Sequence, residues 1–145
     1  MHPTTAELFT ETLEKTGLWL EELRQDLGNA TPHRAYSVLR AVLHVLRDRL
    51  TVDEAVILGA QLPMLVRGFY YEGWRPVGRP IKYRHKEEFL EHVGELYRGL
   101  EEPQREPAVR AVFRLLADHV TGELNHVRDQ LPPELRGLWS LPNLP

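Results

Sequence analysis

Apolar residues recur at helical spacing along nearly the whole chain. Phe9, Leu13, Leu20, Leu23 and Leu27 follow one another at threes, fours and sevens, which marks one face of an amphipathic helix over residues 5–28. Gly17 falls inside that run, where it allows a kink, a close contact or a division into two helices. Gly28-Asn29 is a stop signal. Thr31-Pro32 then supplies a capping oxygen and a proline at the first helical position. Tyr36, Leu39, Val42, Leu43, Leu46 and Leu50 give this second helix its buried stripe. Thr51-Val52-Asp53-Glu54 reads as a capping box that opens a third helix, carrying Ala55, Ile57, Leu58 and Leu62. Pro63 starts a short fourth helix through Met64, Leu65, Phe69 and Tyr70, and Gly73 ends it.

The breakers Pro76, Gly78 and Pro80 make residues 74–84 a linker. Beyond it the pattern predicts helices over 86–100, 108–120 and 122–131, and a short one after Pro132-Pro133. Pro103 and Pro107 are expected to bound a loop between the first two of these, and residues 141–145 to form an extended tail. Period-two alternation is absent, so the fold class is all-α, one domain over residues 1–145.

The chain also repeats itself. Leu39-Arg40-Ala41-Val42 returns as Val109-Arg110-Ala111-Val112, Asp48 as Asp118 and Thr51 as Thr121. Gln61-Leu62-Pro63 returns as Gln130-Leu131-Pro132, and Arg67-Gly68 as Arg136-Gly137. The offset holds near about 70 residues with a one-residue slip, as a duplicated helical unit would show. Two pseudo-symmetric units, 5–73 and 85–140, joined by the linker 74–84 and packed as one domain, follow from this.

Residues kept in both copies are candidates for building the unit. Gln61 and Gln130, next to Pro63 and Pro132, are placed to bond free backbone groups where one helix stops and the next starts. Asp48 and Asp118 lie near helix C-termini, where the dipole disfavours an anion. Ion pairs Asp48–Arg67 and Asp118–Arg136 are the expected compensation.

The run Arg34-Ala35-Tyr36 through His44, then Leu46 to Leu50 and Gly59 to Trp74, closely resembles the bacterial and archaeal domain-of-unknown-function family 2267. His85-Lys86-Glu87-Glu88-Phe89 and the second repeat resemble it too, so the likeness covers nearly the whole chain. The resemblance implies an all-helical fold. It brings no catalytic residues with it.

Composition narrows the chemistry further. A net charge of −3 gives no overall pull toward nucleic acid or an anionic membrane. With no cysteine, disulfides, thiolate metal sites and cysteine nucleophiles are excluded. No apolar run approaches the ~20 residues that cross a bilayer, and the N-terminus lacks a signal-peptide pattern. A cytoplasmic protein without a cofactor is the expectation. Nucleophile elbows, phosphate-binding glycine loops and dinucleotide fingerprints are absent.

Two groups of residues remain as candidate sites. The first is the aromatic-basic segment 69–86. Tyr70, Tyr71 and Trp74 suit a contact surface, and Arg75, Arg79, Lys82, Arg84 and Lys86 suit phosphate or a nucleic-acid backbone. Its aromatics serve equally well to seal the junction between the units. The expected function is a non-enzymatic interaction module that self-associates or binds a protein partner, with nucleic acid as a lesser possibility. The second group is His92, His119, Glu123 and His126, with His44. Glu123 and His126 have the Glu-x-x-His spacing of half a di-iron site, and Glu88 and His92 the spacing of a two-point chelate. These support the alternative of a metal, haem or small-ligand protein using a cleft between the repeats.

Overall fold

The computed structural model describes residues 2–120 and 122–139. Among them are a 3₁₀ turn, Ala6–Phe9, and the helices α1 (Thr10–Asp26), α2 (Pro32–Arg49), α3 (Val52–Ala60), α4 (Met64–Tyr71), α5 (Lys86–Leu96), α6 (Glu102–His119), α7 (Leu124–Asp129) and α8 (Pro133–Leu138), with no strand. Helix-on-helix packing is therefore the architecture. The expected cap at Thr121 and the tail 141–145 lie outside the described residues.

Local signals explain most helix starts. Thr31 Oγ1 accepts the Arg34 amide at 3.1 Å, and Thr51 Oγ1 accepts that of Glu54 at 3.2 Å. Glu88 Oε1 and Gln104 Oε1 reach back to the amides of His85 and Glu101. Gly28 takes φ +75° and Asn29 φ +60°, which ends α1 in the left-handed conformation these residues tolerate.

Helices α2 and α6 pack against each other and carry most of the buried apolar residues. Helix α2 is buried almost all round, from Val38 and Leu39 through Leu46, and α6 contributes Val109, Val112, Phe113 and Leu116. Helix α1 covers α2, α4 and α6, while α5 covers α2, α6 and α8; α3 packs against α4 and α7. Phe113 stacks on Trp139 with ring centroids 4.1 Å apart.

Several expectations are corrected. Helix α1 runs unbroken through Gly17. Its buried face is Thr12, Thr16, Trp19 and Leu23, and of the expected stripe Phe9 and Leu13 are exposed. Periodicity shows that a helix is amphipathic, but α4 settles the rotation by docking its first turn on Thr12, whose Oγ1 accepts the Leu65 amide at 3.2 Å. Helix α6 begins at Glu102, ahead of both prolines. Pro103 sits in the first turn, where no amide bond is needed, and Pro107 removes one bond on the exposed side of the helix. Helix α5 stops at Leu96 because a turn, with the Leu100 amide on Tyr97 O at 3.1 Å, drives Leu100 into the core.

The expected ion pair of Asp48 with Arg67 is not formed. Asp48 meets Arg47 at 2.9 Å and Arg79 at 3.5 Å. Arg67 turns instead to backbone, donating from Nε to Gly59 O at 3.0 Å and from Nη2 to Leu62 O at 2.9 Å. Arg67 thus satisfies the free carbonyls at the end of α3, the role expected of Gln61, which is exposed. Gln130 is likewise exposed, and among the described residues no ion pair joins Asp118 to Arg136.

Candidate functional site

The segment 69–86 divides into an inward half and an outward half. Tyr70 is fully buried and donates its hydroxyl to Ala55 O at 2.6 Å; burial holds that hydroxyl well above its usual range. Tyr71 lies against Gly59, where any side-chain carbon would collide with its ring, and its own ring meets Tyr70 and Trp74 at 4.9 and 5.4 Å. Trp74 is half-buried against the core. Tyr70 therefore offers no contact surface, and the aromatic run seals α4 onto α3.

The basic half is held at its base. Arg47, only 4% exposed, donates to Tyr70 O at 2.7 Å and Glu72 O at 2.9 Å. Asp48 uses its carboxylate on Arg79 and its backbone oxygen on the Ile81 amide at 2.9 Å. Arg49 donates to Tyr83 O at 2.9 Å and lies over the Tyr83 ring at 5.5 Å. Consecutive residues at the end of α2 thus grip the segment from three sides. Between the grips the Arg79 amide bonds Pro76 O at 3.1 Å, closing a tight turn with Gly78 at φ +83°. Val77 stands at its tip, 92% exposed.

The charges sort accordingly. Arg75, Lys82 and Arg84 are exposed. Arg79 is half-buried on Asp48, and Lys86 pairs with Glu106 at 3.2 Å. Tyr83, 8% exposed, faces His92 and is turned away from solvent. The gripping residues Arg47, Asp48 and Arg49 read in sequence only as a charged helix end, and no periodicity marks Arg47 as buried.

The histidines are dispersed among different partners. His119 Nε2 meets Glu22 at 2.5 Å and its ring stacks on Trp19 at 5.0 Å. His92 lies 3.6 Å from Glu95. His126 lies 4.0 Å from Glu123, both exposed. His44 Nε2 donates to Phe69 O at 2.6 Å, and burial pushes its pKa below the ordinary histidine range. Among the described residues no group of three or more His, Cys, Asp or Glu is gathered where it could hold a metal ion. No helix among them is long and apolar enough to cross a membrane.

No curated protein matches the chain. A family model described as "uncharacterized conserved protein (DUF2267)" matches residues 16–138, which takes in every α-helix from the middle of α1 to the end of α8. That match spans most of the sequence, and the chain belongs to the DUF2267 family.

Proposed function

We propose that this chain is a non-enzymatic interaction module of two pseudo-symmetric helical units that presents the gripped turn 74–84 to an acidic protein surface. The observation that carries the reading is the contrast within that segment: its base is fixed by Arg47, Asp48 and Arg49, while Val77 stands open among Arg75, Lys82 and Arg84. A turn already held in shape loses little freedom on binding, so its contacts are retained as affinity. An apolar tip among cations suits a surface that is acidic around an apolar notch. Base stacking is disfavoured, because Tyr83 and Trp74 face inward.

The packing supports the two-unit part of the reading. Helices α2 and α6 have the same length, 18 residues. Helix α1 packs on α2 and α4 as α5 packs on α6 and α8. Across the centre α1 meets α6 as α5 meets α2, and α2–α6 and α3–α7 close the pairing.

The test is binding of labelled poly-glutamate to the full chain at low and physiological salt, beside the R75Q/K82Q/R84Q variant. The variant should bind about tenfold more weakly, with a flatter salt dependence, since three rim charges at about 0.5 kcal/mol each amount to that factor. Equal binding by the two proteins, or a preference for single-stranded oligonucleotide over poly-glutamate, would sink the reading.

A further inference from the structure

Away from the basic turn, a cleft of about 660 Å³ lies between α1 and the α3–α4 junction. That volume falls within the range of small-molecule sites, roughly 300–1,000 Å³. Its wall is mixed. Leu18, Trp19, Leu62 and Met64 form an apolar side, with Trp19 almost fully buried and stacked on His119 at 5.0 Å. Thr12, Lys15 and Arg67 supply donors, with Glu11 beside them. Such a wall suits a ligand with an apolar body and one polar end.

The charges decide the sign of that end. Lys15 and Glu11 pair at 3.1 Å and cancel. His119 is held by Glu22. Arg67 is left over: Gly59 O and Leu62 O fix it in place, both are neutral, and among the described residues no carboxylate pairs with it. Thr12 adds a second donor. It is 8% exposed, its Oγ1 accepts the Leu65 amide, and its hydroxyl proton has no acceptor among the described residues. A buried donor without an acceptor is costly, and a ligand oxygen removes that cost. One uncompensated guanidinium beside the Glu11 carboxylate favours a monoanion over a polyanion such as a nucleotide.

The geometry points to a binding site for a small monocarboxylate with an apolar body, its carboxylate on Arg67 and its body against Trp19, Leu18 and Met64. A guanidinium matches the planar carboxylate better than any other cationic side chain. Two backbone bonds already lock this one, so little side-chain freedom is lost on binding. The basic turn takes no part in the cleft, so this site stands or falls apart from the contact proposed for that turn.

Isothermal titration calorimetry of the full chain with octanoate, octanol and octylammonium tests this. The three probes share one tail and differ only in the head. Octanoate should bind at least about tenfold more tightly than octanol, the worth of one charge-assisted hydrogen bond, and octylammonium more weakly than either. Arg67→Gln should bring octanoate down to the affinity of octanol. Arg67 also serves the end of α3, so Lys15→Glu is the second variant. Lys15 is exposed, and its reversal turns the cleft net negative. That variant should bind octanoate about tenfold more weakly with an unchanged circular dichroism spectrum. R75Q/K82Q/R84Q should bind octanoate as the wild type does. Octanoate binding no tighter than octanol overturns the proposal. So does a preference for octanoate that survives Lys15→Glu in full, or one that is lost in the basic-turn variant.

Discussion

Helices α1 and α2 are nearly equal in length, 17 and 18 residues, and both show apolar spacing at threes and fours. Their fates differ. Helix α2 buries every residue of its expected stripe except Tyr36, which is half-buried, and adds His44 and Arg47 to the interior. Helix α1 buries Thr12 and Thr16 and leaves Leu13 and Leu18 in solvent. A central helix has neighbours on all sides, so any apolar residue it carries finds a partner. A peripheral helix has one inner face, chosen by its neighbours, and polar threonines take inner positions when they accept a bond there.

The sharpest way to break the comparison is to truncate a leucine in each helix. Leu43→Ala in α2 should cost about 2–5 kcal/mol, because a fully buried leucine loses both transfer energy and packing. Leu13→Ala in α1, 57% exposed, should change stability by no more than about 0.5 kcal/mol. Urea denaturation of both variants decides it; similar losses would mean that α1 is turned inward through Leu13 after all.

Thr12→Val tests the reason for the rotation of α1. The change keeps the volume and removes the acceptor of the Leu65 amide, so about 1 kcal/mol should be lost. A neutral result in the same denaturation assay would show that apolar packing alone sets the rotation.

The smallest effect concerns the buried histidine of α2, and its sign follows from linkage. Desolvation lowers the pKa of His44, the Phe69 carbonyl opposes that, and the nearby Arg47 and Arg40 charges reinforce it. The folded state therefore takes up a proton less readily than the unfolded chain. Stability is lost as pH falls through the unfolded value, about 6.5, toward the lower folded one. His44→Gln can still donate to Phe69 O and should lose less stability than the wild type between pH 7.5 and 5.5. Parallel losses in the two proteins would show that folded His44 takes up its proton at little cost. His85, on the surface, has the opposite sign: its bond to Glu134 raises its pKa, so its contribution is present at low pH and fades as pH rises.

Most of the helices were legible because their signals are local. A threonine followed by helix-favouring residues caps, and a Gly-Asn pair stops, whatever surrounds them; the starts of α2 and α3 and the end of α1 follow from such residues. Helix α6 escapes the same logic, since two prolines look like breakers until one falls in the first turn and the other on the exposed side of the helix. The candidate site was only half legible. Its basic residues and breakers stood out, but the inward turn of Tyr70, Tyr71 and Trp74 depends on Gly59 and Ala55 of another helix.

The amino-acid sequence by itself thus determined an all-helical chain, the places of most helix starts, and membership of its family. Capping, φ preference and apolar spacing act within a few residues and need no partner. Tertiary structure alone decided which flank of α1 faces in, that Arg67 serves the α3 carbonyls, and that Arg47, Asp48 and Arg49 grip a turn that follows them by some thirty residues. Each of these depends on bringing distant backbone groups together, and no local preference encodes which distant group will be free when the helices pack.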